Sequence, residues 1–297
     1  MKQKNSFNSA FERHLPKLVL APTLALVLIA VYGFSLWTGV VSFTGSKMMP
    51  VYNFVGFEQY VRLWTTPRWH TAVYNLGIFT CLFLVITTSL GLFLAILLDQ
   101  NVRGEGFIRN IYLYPMAISF VVTGTAWKWI LNPGFGIQRV VNDLGWTSFT
   151  FDWIVRPEYA IFTVVLASVW QSSGFAMAVF LAGLRGIDGS LIKAAQIEGA
   201  GPFRIYTSII LPMLRPALLS VLVLLGHIAI KCFELVLALT NGGPGVATEM
   251  PSTFMYGATF QRNQLGIGAA SAMMMLMTVA AIIVPYLYSE LRNRRDG

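Results

Sequence analysis

Six apolar runs, each long enough to cross a lipid bilayer, leave this chain few folds to choose from. A helix needs about 20 mostly apolar residues to span the hydrocarbon core, and the runs cover roughly 18–43, 72–98, 110–131, 159–184, 216–240 and 266–288. In lipid every backbone N–H and C=O must find its partner within the protein, which leaves helices or closed barrels. Runs this long lack the ten-residue alternation of a barrel strand, so the sequence predicts an all-α integral membrane protein with six transmembrane helices. Composition agrees. Only 11% of the 297 residues are charged, against about 25% in soluble domains.

Orientation follows from the placement of Lys and Arg, which concentrate in cytoplasmic loops. Lys2, Lys4, Arg13, Lys17, Arg103, Arg109, Arg185, Lys193, Arg204, Arg215, Arg292, Arg294 and Arg295 fall on one side, thirteen in all. Lys47, Arg62, Arg68, Arg139, Arg156 and Arg262 make six on the other. The N- and C-termini are therefore expected to be cytoplasmic. The first run exceeds the roughly 7–15 apolar residues of a secretory signal, so it reads as an uncleaved span. Lys128, between Trp127 and Trp129, is expected to snorkel to the interface beside the turn Asn132-Pro133-Gly134.

Several function classes are excluded. The net charge of +8 flanks apolar segments and forms no basic stripe interleaved with aromatics, which argues against nucleic-acid binding. Cys81 and Cys232 lie inside apolar runs without metal or disulfide spacing, and both are expected to be small buried hydrophobes. No G-x-x-x-x-G-K-[ST] loop is present, and His14, His70 and His227 do not cluster. The chain is expected to be no enzyme and to hold neither cofactor nor metal.

The connection after the fourth run carries a distinct pattern. Ser190 can cap a short helix with Leu191, Ala194, Ala195 and Glu198 on one face. Gly199 supplies the stop, Pro202 suits the first turn of a second helix, and Pro212 ends that helix before the fifth span. A connector lying on the membrane and a docking element for another protein both fit this pattern.

Lys193-Ala194-Ala195 with Glu198-Gly199-Ala200, followed by Pro202 and Leu211-Pro212, resembles the "EAA" loop of ABC importer permeases. Thr240-Asn241-Gly242-Gly243-Pro244-Gly245 and Asn132-Pro133-Gly134-Phe135-Gly136 resemble its carbohydrate-uptake branch, of the maltose-transporter type. Two further stretches resemble glucose/mannose permease subunits and the neighbouring α-glucoside permeases: Trp170 to Phe175 through Leu184 to Asp188, and Ile283 to Arg292. Arg13 to Pro22 leans toward the glucose/mannose side.

The resemblance implies a type I ABC importer permease fold in the bacterial cytoplasmic (inner) membrane. It implies an N-terminal part over 1–71, a permease core of five spans over 72–288 with the coupling loop at 189–212, and a cytoplasmic tail over 289–297. The implied partners are a second permease subunit, two ATPase subunits and a periplasmic or lipid-anchored sugar-binding protein; ATP hydrolysis belongs to the ATPase. The implied contacts with the ATPase are Lys193, Ala194, Ala195, Glu198, Gly199, Ala200, Pro202, Leu211 and Pro212. Lys193 departs from the family's usual Glu, which puts one ion pair with the ATPase in doubt; Glu198 keeps the acidic character near the turn.

For the sugar, alignment with maltose-type importers implies contacts near Met116, Phe120, Ser168, Gln171, Ser172, Phe175, Ala229 and Cys232. The residues themselves single out Trp170, Gln171, Ser172 and Ser173, whose aromatic face and polar groups suit a sugar or, equally, hydrogen bonds between helices. They also single out span five. His227, Lys231 and Glu234 are spaced to share one helical face, and Lys plus Glu at mid-span costs about 5–7 kcal/mol of insertion energy. Fourteen Leu, Ile, Val and Phe residues in that span offset about 4–8 kcal/mol, so it should face protein or water. Either a Lys231–Glu234 pair fixes packing, or the two contact cargo.

The expected function is a monosaccharide permease subunit, for glucose or mannose, with α-glucosides as the alternative cargo. Two other classes are an ion-coupled secondary transporter using Lys231 and Glu234, and a membrane scaffold that only docks partners. Against the first, the six runs show no internal repeat and no pair of interrupted helices.

Overall fold

The computed structural model describes Lys17 and residues 19–100 and 102–296, with side chains as far as 288 apart from 286 and 287. Lys2, Lys4, Arg13 and the Arg13-to-Pro16 part of the quoted stretch lie outside the described residues, as do the side chains of Arg292, Arg294 and Arg295. Apart from one isolated bridge, Thr44 to Phe54, the regular structure among the described residues is helical.

In chain order the helices that matter are α1 (Val19–Ser42), α2 (Glu58–Thr65), α3 (Pro67–Leu98), α4 (Glu105–Ala117) and α5 (Phe120–Ile130). Next come α6 (Ile137–Asp143), α7 (Ala160–Arg185), α8 (Gly189–Ile197), α9 (Pro202–Met213) and α10 (Arg215–Ile230). Last are α11 (Glu234–Leu239), α12 (Pro251–Tyr256) and α13 (Leu265–Asp296).

Among the described residues, α1, α3, α7 and the 265–285 part of α13 are each long and apolar enough to cross a membrane, and α9 with α10 forms a fifth candidate bent by 62°. Two of the six runs are interrupted helices. Ile118 is extended and divides the third run, three residues after Pro115, which lies inside the last turn of α4. The fifth run breaks between Ile230 and Glu234. A pair of interrupted helices is therefore present, contrary to the sequence reading.

The chain divides into two compact units. Among the described residues, the smaller comprises 17, 19–63 and 257–273. Within it the segment after α1 folds back, with Val55 donating to the Phe43 carbonyl and Phe43 packing edge-on against Phe57. Leu265 and Gly266 donate to the Lys47 and Ser46 carbonyls, tying the start of α13 to the same segment.

Among the described residues, the larger unit comprises 64–100, 102–256 and 274–296. Its centre is α7, against which α3, α4 and α10 pack, while α11 packs on α5. The stacked rings of Phe79 and Phe83, together with Met177, Phe180 and Leu225, fill its core. Gly174 is the point where α7 meets α4, and a Cβ there would collide with the Tyr112 carbonyl. Only glycine permits that approach. At the far end of α7, Arg185 bonds Glu105 at 2.8 Å and lies 3.9 Å from Asp99, joining the ends of α3, α4 and α7. That bond holds the Glu105 carboxyl below its ordinary pKa.

Candidate functional site

Two places in the larger unit gather the residues singled out by sequence. The first is the helix–turn–helix over 189–213. Its N-cap is Asp188, whose carboxylate accepts from the Ser190 backbone N–H at 2.9 Å; Ser190, expected to be the cap, lies inside the helix. That bond favours the charged carboxylate and lowers the Asp188 pKa. At the other end Ala200 N–H donates to the Ala195 carbonyl at 2.9 Å, and Gly199 N–H to that of Gln196 at 3.0 Å. This is a Schellman turn, which requires a left-handed residue, and Gly199 has φ +81°. Pro202 then occupies the first turn of α9. Pro212 lies inside α9, which ends one residue later at Met213.

The turn sorts the motif residues into two sets. Ala195 and Ala200, with Ile192, pack against the core. Lys193, Ala194, Glu198, Gly199, Pro202, Leu211 and Pro212 are exposed. Leu191, Ala194, Ala195 and Glu198, expected to share one face, are divided: Ala195 packs inward beside Ile192, and Leu191, Ala194 and Glu198 are exposed. Two large apolar side chains absent from the expected set flank the turn in the open: Ile197 is 87% exposed and Phe203 is 83% exposed. Their signal in the sequence was apolar character at positions that no helical face demanded.

The second place is a cavity of about 180 Å³ where the fifth run breaks. Helix α10 ends with Lys231 as its cap, and α11 starts at Glu234. His227, Lys231 and Glu234 therefore do not share a continuous helical face, and no Lys231–Glu234 ion pair forms among the described residues. Nothing in Lys231-Cys232-Phe233 is an intrinsic helix breaker; the opening is tertiary. Buried Ser252 of α12 donates its hydroxyl to the Cys232 carbonyl at 2.6 Å, and the Phe233 ring packs 5.2 Å from Tyr256.

Of the ten residues expected along the sugar path, Phe120, Ser168, Lys231, Cys232 and Glu234 line this cavity. Met116, Gln171, Ser172, Phe175 and Ala229 do not. Gln171 is buried, and its amide donates to the Ile118 carbonyl at 2.7 Å, satisfying backbone that the break between α4 and α5 leaves free. Phe79 and His227 complete the aromatic and polar lining, and the sequence carried no signal for Phe79. Cys232 is buried as expected, whereas Cys81 is exposed on α3. No group of three or more potential metal ligands occurs among the described residues.

A third cluster braces the segment after α11. Thr248 bonds Thr240 at 2.7 Å and the Gly243 carbonyl at 2.9 Å, closing the turn-rich stretch from 240 to 245. The amide of Asn75 on α3 donates to the Ala247 and Glu249 carbonyls, and buried Glu249 pairs with Arg68 at the start of α3.

Residues 87–293, more than half of the chain, match the family described as binding-protein-dependent transport system inner membrane component. The chain belongs to that family. A probable ABC transporter permease protein of Pyrococcus horikoshii is 39% identical over 91% of this chain and 94% of its own length. The xylose/arabinose import permease protein of Haloferax volcanii is 36% identical over 96% of this chain and 90% of its own. Among solved structures, a subunit of a bacterial ABC transporter that imports the acidic polysaccharide alginate superposes with a TM-score of 0.80 at 24% identity, covering 97% of this chain and 98% of the other. At that identity the likeness shows the fold, that of a type I ABC permease. For this inner membrane component the helix–turn–helix over 189–213 coincides with the EAA-like stretch, and ABC permeases are not themselves enzymes.

Proposed function

We propose that this chain is one permease subunit of an ATP-driven sugar importer, forming half of a translocation path and coupling to an ATPase through the 189–213 element. The observation that carries the reading is the Schellman turn at Gly199, which turns Ala195 and Ala200 inward and leaves Ile197 and Phe203 bare. Large apolar side chains kept in the open beside a rigid turn are what a partner's pocket takes up.

In this reading the chain has six spans. The third comprises α4 with α5, the fifth α10 with α11, and both termini lie on the cytoplasmic side with α8 and α9. The excess of Lys and Arg on that side supports the orientation. Residues 72–288 form the core, preceded by 1–71 with the first span and followed by a short tail over 289–297. A second permease, two ATPase subunits and a sugar-binding protein outside complete the importer. Closure of the ATPase pair draws the two coupling elements together and reorients the cavity between α5, α7, α10 and α11.

The cargo is a monosaccharide. The import of xylose and arabinose by the Haloferax relative supports a small sugar, and the stretches from Trp170 and from Ile283 support glucose or mannose, with α-glucosides as the second choice. An ion-coupled carrier would draw on the two interrupted helices. Membership of a binding-protein-dependent family favours the ATP-driven reading.

The test is uptake of radiolabelled glucose into vesicles holding this chain with its second permease, ATPase and binding protein. ATP-dependent uptake, competed by mannose, is the expected result. Uptake that persists without ATP and collapses with the proton gradient would contradict it. Co-purification with an ATPase but no flux of any sugar would leave only a docking role.

A further inference from the structure

The stretch from Thr44 to Phe57 carries a single charge, that of Lys47, and contains no Asp or Glu. Around that lysine the smaller unit keeps large apolar side chains in the open: Met48, Met49, Val51, Tyr52, Phe54 and Phe57, of which Phe54 is 77% exposed. A contiguous apolar patch of this kind marks a surface that a partner or a membrane covers.

The backbone beneath the patch is tied within the protein. Gly45 N–H donates to the Asn53 carbonyl at 3.1 Å and Val55 N–H to that of Phe43 at 2.8 Å, closing a short hairpin. Inside it the Ser46 hydroxyl accepts from the Val51 N–H at 3.0 Å. The Ser46 and Lys47 carbonyls accept from Gly266 at 2.9 Å and Leu265 at 3.2 Å. A loop in water can leave such groups to solvent, whereas a segment that enters a bilayer has to pair them internally.

Depth follows from α1. Its 24 residues make a rod of about 36 Å, against about 30 Å of hydrocarbon, and its most apolar stretch buries no residue within the protein. The Trp37 indole N–H donates to the Tyr52 hydroxyl at 3.3 Å. The hairpin therefore reaches back beside α1 to a rung about 7.5 Å short of the helix end at Ser42. Trp and Tyr gather at the level of the lipid headgroups, and the long apolar stem of Lys47 lets its ammonium stay in water above an apolar surface. Phe43, next to that helix end, packs against both Phe54 and Phe57, with ring centroids 6.1 and 5.3 Å apart.

We propose that the 44–57 hairpin is a membrane-interface anchor. Its apolar side chains enter the headgroup region of the leaflet at the C-terminal end of α1 and hold that span at a set depth. The patch continues through Trp37 onto the uncovered surface of α1, which favours lipid over a protein partner. One lysine and no carboxylate suit the phosphates of a lipid surface. The leaflet is the outer one in the orientation proposed above; the depth does not rest on that orientation.

The experiment places a nitroxide spin label singly at Met49→Cys, Val51→Cys and Phe54→Cys, with Val31→Cys of α1 as the lipid reference and a dissolved nitroxide as the aqueous one. Each is made with Cys81→Ala in the native complex in nanodiscs, where Cys232 is buried from the label. Collision rates with oxygen, which concentrates in lipid, are compared with those of a water-soluble nickel chelate. The oxygen-to-nickel ratio at all three hairpin sites should shift away from the aqueous reference toward the Val31 value, and Phe54→Asp should shift the ratio at Met49→Cys back toward water. An aqueous ratio at the three sites would overturn the anchor. Low collision rates with both reagents, the mark of a covering protein, would overturn it too. On intact cells a membrane-impermeant maleimide should label Lys47→Cys. Labelling only after lysis would overturn the outer leaflet, and the proposed orientation with it, while the spin labels still decide the depth.

Discussion

The Ser252 hydroxyl donates to the Cys232 carbonyl at 2.6 Å, and both residues are buried. One tertiary hydrogen bond thus takes up a backbone acceptor where the fifth apolar run stops being a helix, linking α12 to the wall of the cavity. Ser252→Ala would leave that carbonyl orphaned, at a cost of about 1–3 kcal/mol. The expected outcome is a lower unfolding temperature of the purified complex together with a changed half-saturating sugar concentration. An unchanged value of both would show that the break holds without it.

The pair of Arg68 and buried Glu249 predicts an asymmetry. Arg68→Ala leaves a carboxylate buried and unpaired, whereas Glu249→Gln keeps a polar partner for Arg68 and removes the buried charge. The first should destabilise by about 3 kcal/mol and the second by clearly less. Thermal unfolding of the two variants in detergent would check the order.

Gly174 predicts a packing failure. A Cβ there meets the Tyr112 carbonyl, which is backbone and cannot swing aside. Gly174→Val should force α4 away from α7 and cost more than the 1–3 kcal/mol usual for overpacking. Its yield of monodisperse protein, set against Gly189→Val at an open position, is the measurement.

Asp188 predicts a pH dependence. Its folded pKa lies below the ordinary value, so the cap is fully formed above that ordinary value and is lost as pH falls through the lowered one. Amide exchange at Ser190 and Leu191 should therefore speed up toward acid pH. Asp188→Asn, which still accepts from the Ser190 N–H, should flatten that dependence while keeping the helix.

The 189–213 element was legible in the sequence because its chemistry is local. Gly199 supplies a left-handed φ that few residue types adopt and Pro202 a fixed φ suited to a first helical turn, and the turn between the two helices followed from them. The spans of α3 and α7 were legible from apolar length alone. What stayed hidden depends on residues far apart in the chain. Leu-rich sequence on both sides of Lys231 reads as one helix, and the Cys232 carbonyl at the break is taken by Ser252, twenty residues later. Gln171 reads equally as a sugar contact or as a hydrogen bond between helices, and Ile118, fifty-three residues earlier, decides for the second by accepting from its amide. Asp188 was passed over as a cap for Ser190 because helix starts are ambiguous by a residue or two wherever both types occur.

If sugar movement is coupled to ATP through the turn at Gly199, the bare Phe203 and Ile197 side chains beside it should be needed for transport. ATP-driven glucose uptake and ATPase association would be measured side by side for the wild type, Phe203→Ala and the double variant with Ile197→Ala. Both side chains are almost fully exposed, so the fold should not feel their loss. Uptake in the double variant should fall at least about tenfold, with weaker retention of the ATPase and an unchanged unfolding temperature. Full uptake and full ATPase retention by the double variant would contradict it.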